Sequence, residues 1–135
     1  MTSVAVVILN FNGEKLLTQF LPSVIQYSPG TEIIVADNGS TDQSLDLLRR
    51  NFPGVKVLAF GTNYGFCGGY NKALREINAD FYVLLNSDVE VTPGWLEPLR
   101  SLLEQNPGIA AVQPKILSHN DRGLFEYAGA GGGFL

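Results

Sequence analysis

Cysteine and histidine are almost missing from this chain: Cys67 and His119 stand alone among 135 residues. A lone cysteine cannot close an intramolecular disulfide, and it excludes a multi-cysteine zinc site. Charge is sparse as well. Only 16% of residues are charged, nine basic against thirteen acidic, for a formal charge of −4. No basic run extends beyond Arg49-Arg50, so a nucleic-acid backbone is not an expected partner. The longest plainly apolar run, Val4 to Leu9, is far below the roughly 20 residues that cross a bilayer. Met1-Thr2-Ser3 gives no cationic start to a signal peptide. The setting expected is soluble, reducing and cytoplasmic. What is present is 45% apolar residues, a globular rather than disordered composition, in a length that suits one domain.

Apolar runs alternate with helical patterns. Val4-Ala-Val-Val-Ile-Leu9, Glu32-Ile-Ile-Val-Ala36, Val55-Lys-Val-Leu-Ala-Phe60 and Phe81-Tyr-Val-Leu-Leu85 read as strands, with a short fifth at Ile109-Ala-Ala-Val112. Between them Leu16, Leu17, Phe20, Leu21, Val24 and Ile25 recur at helical spacing, with a kink or break expected at Pro22. Ser40 and Gln43 have the spacing of a capping box before Leu45, Leu47 and Leu48. A third helix is expected from about Gly68 to Ile77, and a fourth after Thr92-Pro93, carrying Leu96, Leu99, Leu102 and Leu103. Five strands with helical crossovers predict an α/β fold with a mainly parallel sheet and helices on both faces. Ser118 to Gly123 reads as a polar turn and Gly129 to Gly133 as a mobile loop. The stretch from Tyr127 to Leu135 does not read as the end of a finished fold.

In an open parallel sheet, ligands bind beyond the carboxyl ends of the strands. The segments there are Asn10-Phe11-Asn12-Gly13, Asp37-Asn38-Gly39-Ser40-Thr41-Asp42, the glycine-rich Gly61 to Asn71, and Asn86-Ser87-Asp88-Val89-Glu90. Asp88 and Glu90 are oxygen ligands of the kind hard cations such as Mg²⁺ or Mn²⁺ prefer; alternatively Asp88 caps a turn and Glu90 faces solvent. Asp37 can accept hydrogen bonds from a base or ribose, or close an Asx-turn in Asp-Asn-Gly. Phe11 is either a core ring or a stacking surface for a nucleobase. The glycine-rich segment lets backbone approach a ligand, but lacks the G-x-G-x-x-G spacing. Lys72 and Arg75 lie near it, more in keeping with a solvated helix face than with phosphates. His119 reads as exposed, Trp95 as packing, and Cys67 as a small helix-start residue.

Taken together, these segments resemble glycosyltransferase family 2 over about residues 3–117, and its rhamnosyltransferase-like branch in particular. The resemblance implies a GT-A fold, a Rossmann-like sheet binding a nucleotide-diphosphate sugar. It places Phe11 against the base, Asp37 at the base or ribose, and Asn71 near the ribose or diphosphate; Asn10, Asn12, Asn38, Gly69, Asn86 and Ser87 belong to the same donor site. Asn86-Ser87-Asp88 stands where the family has Asp-x-Asp, with Asp88 on a divalent metal, Mg²⁺ or Mn²⁺. Asn86 replaces the first acid of that motif, which leaves one fewer negative charge beside the diphosphate.

The family's reaction is inverting, metal-assisted transfer of a sugar to an acceptor hydroxyl. Its base is an Asp or Glu on the acceptor side. Asp121 and Glu126, the acids downstream in residues 118–135, lack the surroundings of that base, so no catalytic residue is assigned. The expectation is a truncated fold: a donor-binding core at 1–117 and the incomplete start of an acceptor-side region at 118–135. Alone, such a chain is expected to transfer little sugar and to self-associate through the surface left by the missing half. The acceptor expected is a sugar or glycolipid, and the setting cytoplasmic or at the inner face of the membrane. A non-catalytic nucleotide-sugar binding module is the alternative. A phospho-receiver domain is excluded, because strand one ends in Asn10-Phe11-Asn12 rather than an acidic pair. A nucleotidyltransferase would need a basic glycine-rich loop there.

Overall fold

The computed structural model describes residues 2–127. Its elements run β1 (Val4–Asn10), α1 (Glu14–Tyr27), β2 (Glu32–Asp37), α2 (Ser44–Asn51), β3 (Lys56–Ala59), α3 (Gly65–Arg75), β4 (Phe81–Leu85), α4 (Glu97–Gln105), β5 (Ile116–Leu117) and β6 (Phe125–Tyr127). They fall into two compact units, Met1–Pro93 and Gly94–Leu135.

The first unit is built on a parallel sheet of order β3-β2-β1-β4. Right-handed crossovers in that order put α1 and α2 on one face and α3 on the other. The side chains agree. Ala5 and Val7 of β1 and Ile34 and Ala36 of β2 form a core with Tyr70, Ala73 and Ile77 from the α3 segment. Val6, Ile8, Ile33 and Val35 alternate to the opposite face, where α1 and α2 bury Leu17, Leu21, Val24 and Leu48. β1 and β2 are buried on both faces, which is why they read as continuous apolar runs, whereas the edge strand β4 leaves Tyr82 and Leu84 exposed. The chain order reverses between β1 and β4, so a crevice is expected past their carboxyl ends.

Local expectations fail where a tertiary partner overrides them. Pro22 neither breaks nor divides α1, which runs through it. Pro22 is exposed, and the buried Leu17, Leu21 and Val24 hold the helix together on the other side. The third helix begins at Gly65 rather than Gly68, where Asn63 Oδ1 accepts from the Gly65 amide at 2.8 Å. Thr92-Pro93 does not open the fourth helix; α4 starts at Glu97 with Pro98 in its first turn, after a turn in which Gly94 has φ +71°.

In the second unit, Arg100 pairs with Glu97 at 2.8 Å along α4. Ile109 to Val112 forms no strand, so the parallel sheet has four strands rather than five among the described residues. Instead β5 and β6 pair antiparallel, joined by the polar turn in which Asp121 Oδ1 accepts from the Gly123 amide at 3.0 Å. The loop expected at Gly129 to Gly133 lies outside the described residues. No helix among the described residues is long and apolar enough to cross a membrane.

Candidate functional site

The carboxyl ends of β1 and β2 are fastened by buried polar side chains. Asn10 and Asp37 share a rung of the sheet, with 0% and 1% of their surface exposed. Asn10 Nδ2 donates to Asp37 Oδ2 at 2.9 Å and to Ser40 Oγ at 3.1 Å. The Ser40 amide donates to Asp37 Oδ1 at 2.9 Å, and Ser40 Oγ accepts from the Asn12 amide at 2.9 Å. This use of Ser40 replaces the expected capping box with Gln43. Asn12 sits at φ +51°, a left-handed conformation that asparagine tolerates. From there its Oδ1 accepts from the Thr41 amide at 2.7 Å.

Asp42 then serves two helices at once. Its Oδ2 accepts from the Glu14 amide at the start of α1 at 3.0 Å, and its Oδ1 from the Ser44 amide at the start of α2 at 3.0 Å. Burial pulls the Asp42 carboxyl upward, but the nearby Ser44 hydroxyl and these two amides outweigh it and hold it below the usual range.

Asn38 ties in the loop after β3. Its Nδ2 donates to Asn63 Oδ1 and to the Gly65 carbonyl, both at 3.0 Å, and its Oδ1 accepts from the Tyr64 amide at 2.9 Å. Two glycines make the close approach possible. A side chain on Gly39, at φ +83°, would reach within 2.8 Å of the Thr62 backbone. One on Gly69 would come within 2.7 Å of Leu9 Cδ1 and 3.1 Å of Asn38 Nδ2. From α3, Tyr70 donates its hydroxyl to the Leu85 carbonyl at 3.0 Å, just before Asn86. Burial raises its phenol above the ordinary value, against a lowering backbone contact at Leu9.

These supports frame an open cleft of about 380 Å³, lined by Leu9, Phe11, Asn38, Asn63, Gly65, Phe66, Asn86, Ser87 and Asp88. The structure therefore brings together Phe11, Asn38, Asn86, Ser87 and Asp88 from the sequence reading. Asn10 and Asp37 lie buried beside it rather than in its lining, Asn12 braces the loop after β2, and Gly69 packs under it. Asn71 is an exposed residue of α3 outside the lining. Leu9, Asn63 and Phe66 join the lining as well; Asn63 and Phe66 belong to the glycine-rich segment, the one sequence signal that points to them, and Leu9 carries none. Phe11 and Phe66 are half or more exposed, at 50% and 64%, which buried core rings would not be. Lys72 is held over the Phe60 and Tyr64 rings, 5.3 Å from each centroid.

A divalent cation fits these donors in a limited way. No group of three or more His, Cys, Asp or Glu side chains gathers among the described residues. Asp88 offers one exposed carboxylate, and Asn86 and Ser87 line the same cleft with an amide and a hydroxyl. A hard cation bound that way takes its remaining ligands from water and phosphate oxygens, as Mg²⁺ commonly does.

A parallel α/β sheet with a cleft past the carboxyl ends of its strands, lined by two aromatic rings and a carboxylate, defines a Rossmann-like protein of the GT-A kind. The profile of "Glycosyl transferase family 2" matches residues 5–127, and the chain belongs to that family. It is 26% identical over 129 residues to the N-acetylglucosaminyl-diphospho-decaprenol L-rhamnosyltransferase of Mycobacterium tuberculosis, covering 74% of this chain and 42% of the relative. The UDP complex of S. aureus TarS superposes with a TM-score of 0.67 at 25% identity, covering 78% of this chain and 33% of that one. The mannosyltransferase PcManGT of Pyrobaculum calidifontis, in complex with GDP-Man and Mn²⁺, shares the fold at a TM-score of 0.58 and 22% identity, over 66% of this chain and 28% of that one. The chain spans about 35–42% of the length of the first curated relatives it matches.

Proposed function

We propose that this chain binds the nucleoside diphosphate of a nucleotide-sugar donor in the cleft beyond β1 and β4, as the donor side of a glycosyl transfer. The observation that carries this reading is the cleft's lining: exposed rings at Phe11 and Phe66 on one hand and Asn86, Ser87 and Asp88 on the other. Rings offer faces for a base, and the oxygen-rich turn suits phosphates with a divalent cation. The nucleotides in the TarS and PcManGT complexes support the same assignment.

In this reading Phe11 stacks on the base and Asn38 meets the base or ribose from the cleft wall. Asp37 contributes from beneath by holding Asn10 and Ser40, and its contact with the base or ribose remains part of the proposal. Asn12 and Gly69 shape the site around it, and Asn71, outside the lining of the open cleft, would come near the ribose or diphosphate. Asp88, with Asn86 and Ser87, would hold Mg²⁺ or Mn²⁺, which when bound supplies Lewis-acid stabilisation of charge on a departing diphosphate. The transfer proposed is inverting, toward a sugar or glycolipid hydroxyl, with residues 1–117 as the donor core and 118–135 on the acceptor side. A cytoplasmic setting, at the inner membrane face, and self-association of this short chain belong to the same proposal.

Calorimetric titration of the 135-residue chain with UDP, dTDP and GDP, with and without Mn²⁺, tests it. Binding of one of them, strengthened by Mn²⁺, is expected; no heat from any removes the reading. Sugar turnover by this chain alone would remove the assignment of a donor half.

A further inference from the structure

Asn10 carries a carbonyl oxygen that is left without a hydrogen-bond partner among the described residues. Its amide nitrogen is committed to Asp37 Oδ2 and Ser40 Oγ, and because an ionised carboxylate only accepts, the carboxamide cannot be turned round. Oδ1 therefore faces away from Asp37, in a residue with no exposed surface, and has no hydrogen bond among the described residues. It lies against Gly13. A side chain on Gly13 would collide with Asn10 Oδ1, and its Cβ would stand 4.0 Å from Ser87 Oγ. Gly13 has φ −105°, which any residue adopts, so the glycine is required for space. The position above Gly13 is thus bounded by a buried acceptor from β1 and a hydroxyl from the turn after β4, strands that pair as far as Ile8 and Leu85.

We propose that Asn10 is a positioning residue for the Asn86–Asp88 turn: when nucleotide fills the cleft, the Ser87 hydroxyl donates to Asn10 Oδ1, directly or through one water. The proposal rests on reading the cleft as a nucleoside-diphosphate site. In the open cleft the half-buried Ser87 hydroxyl has access to water. A diphosphate on the turn displaces that water, and the acceptor waiting across Gly13 is Asn10 Oδ1. An orphaned buried acceptor is costly, so gaining this donor favours the loaded position of the turn. Asn10 touches no reacting atom; it acts through Ser87 on the placement of Asp88.

The test uses the full 135-residue chain, with UDP, dTDP and GDP in the presence of Mn²⁺, read by calorimetry and by the ¹H–¹⁵N signals of the Asn10 carboxamide. Loading is expected to shift those signals in the wild type. Ser87→Ala should lose that shift and bind about tenfold more weakly, the scale of one hydrogen bond. Ser87→Thr, which keeps the hydroxyl, should restore both. Wild-type affinity in Ser87→Ala, or a carboxamide shift that survives the loss of the hydroxyl, overturns the Asn10 contact and leaves the nucleotide site standing. Absence of binding by the wild type with every nucleotide overturns both.

Discussion

Asn10 and Asp37 end two adjacent strands on the same rung, and a 2.9 Å hydrogen bond from Asn10 Nδ2 to Asp37 Oδ2 joins them inside the protein. The Asp37 carboxylate also accepts from the Ser40 amide, so an acidic residue at the cleft's edge is occupied with holding two loops. Replacing Asp37 with Ala takes one of two acceptors from the buried Asn10 amide, which keeps Ser40 Oγ, and the acceptor from the half-buried Ser40 N–H. Hydrogen bonds to a charged group contribute about 1.5–3 kcal/mol, so urea denaturation should show a loss of about that size. Nucleotide affinity should fall with it, because Asn12 and Ser40 lose their anchor. A near-wild-type midpoint would mean that Asp37 does not carry the loops.

Gly39 is a second point of close approach. Its φ of +83° disfavours any side chain, and a Cβ there would press on the Thr62 backbone at 2.8 Å. Backbone cannot step aside as a side-chain tip can. Gly39→Ala should therefore cost about 2–4 kcal/mol, strain and overpacking together. Gly54→Ala is the control, since nothing lies within 4 Å of a Cβ there. Thermal unfolding of the two variants should separate them clearly.

The order of elements was legible because strands of a parallel sheet leave a plain mark, even in β4, where Tyr82 and Leu84 are exposed. Val4 to Leu9, Ile33 to Ala36 and Phe81 to Leu85 are unbroken apolar runs, and all three are strands of the parallel sheet. Ile109 to Val112 carries the same mark and forms no strand, since a short apolar run does not encode a partner. The polar edge was legible as a set of segments and not as a set of contacts. Asp37 and Asn38 are neighbours in sequence, yet only Asn38 lines the cleft; Asp37 takes the face shared with Asn10. Ser40 and Gln43 have a local capping pattern, but Ser40 is engaged by Asn12, 28 residues away. Local spacing cannot anticipate such long-range use.

Phe11 and Phe66 provide a test in which stability and binding separate. Both rings are largely exposed, so their truncation removes little from the core. Stacking on a base is worth about 1–3 kcal/mol in alanine substitutions. Phe11→Ala is expected to weaken UDP, dTDP or GDP binding by about 5–150-fold at an unchanged melting temperature. Phe66→Ala should act in the same direction, with some loss of its edge contact to Tyr70, 5.0 Å between centroids. Equal affinity in wild type and both variants would move the base elsewhere.

Among the described residues, Asp88 is the one carboxylate in the cleft lining. Asp88→Asn keeps the shape and a neutral oxygen but removes the charge. Nucleotide titrations should then lose most of their dependence on Mn²⁺ while any metal-independent binding stays. Persistence of the full Mn²⁺ effect would assign the cation to other ligands, with Glu90 on the same segment as the next variant to make.

Acid should loosen the first unit through two aspartates. Asp80 accepts from the Ser3 amide at 2.8 Å and the Ser3 hydroxyl at 2.7 Å, and these bonds hold its carboxyl below the ordinary value. That contact fastens the chain just before β1 to the start of β4. Asp42, for all that burial opposes it, is lowered by Ser44 and Glu14 at the starts of α2 and α1. A carboxyl whose pKa is lower folded than unfolded contributes stability that is present above its unfolded value, about 3.9. That contribution disappears as pH falls through the folded value. Stability should therefore decline below about pH 4, by a steeper course in the wild type than in Asp80→Asn or Asp42→Asn. Each variant should start lower at neutral pH and converge on the wild type in acid. Denaturation curves taken from pH 6 to pH 2.5 would show this convergence; parallel curves would deny both carboxylates their share.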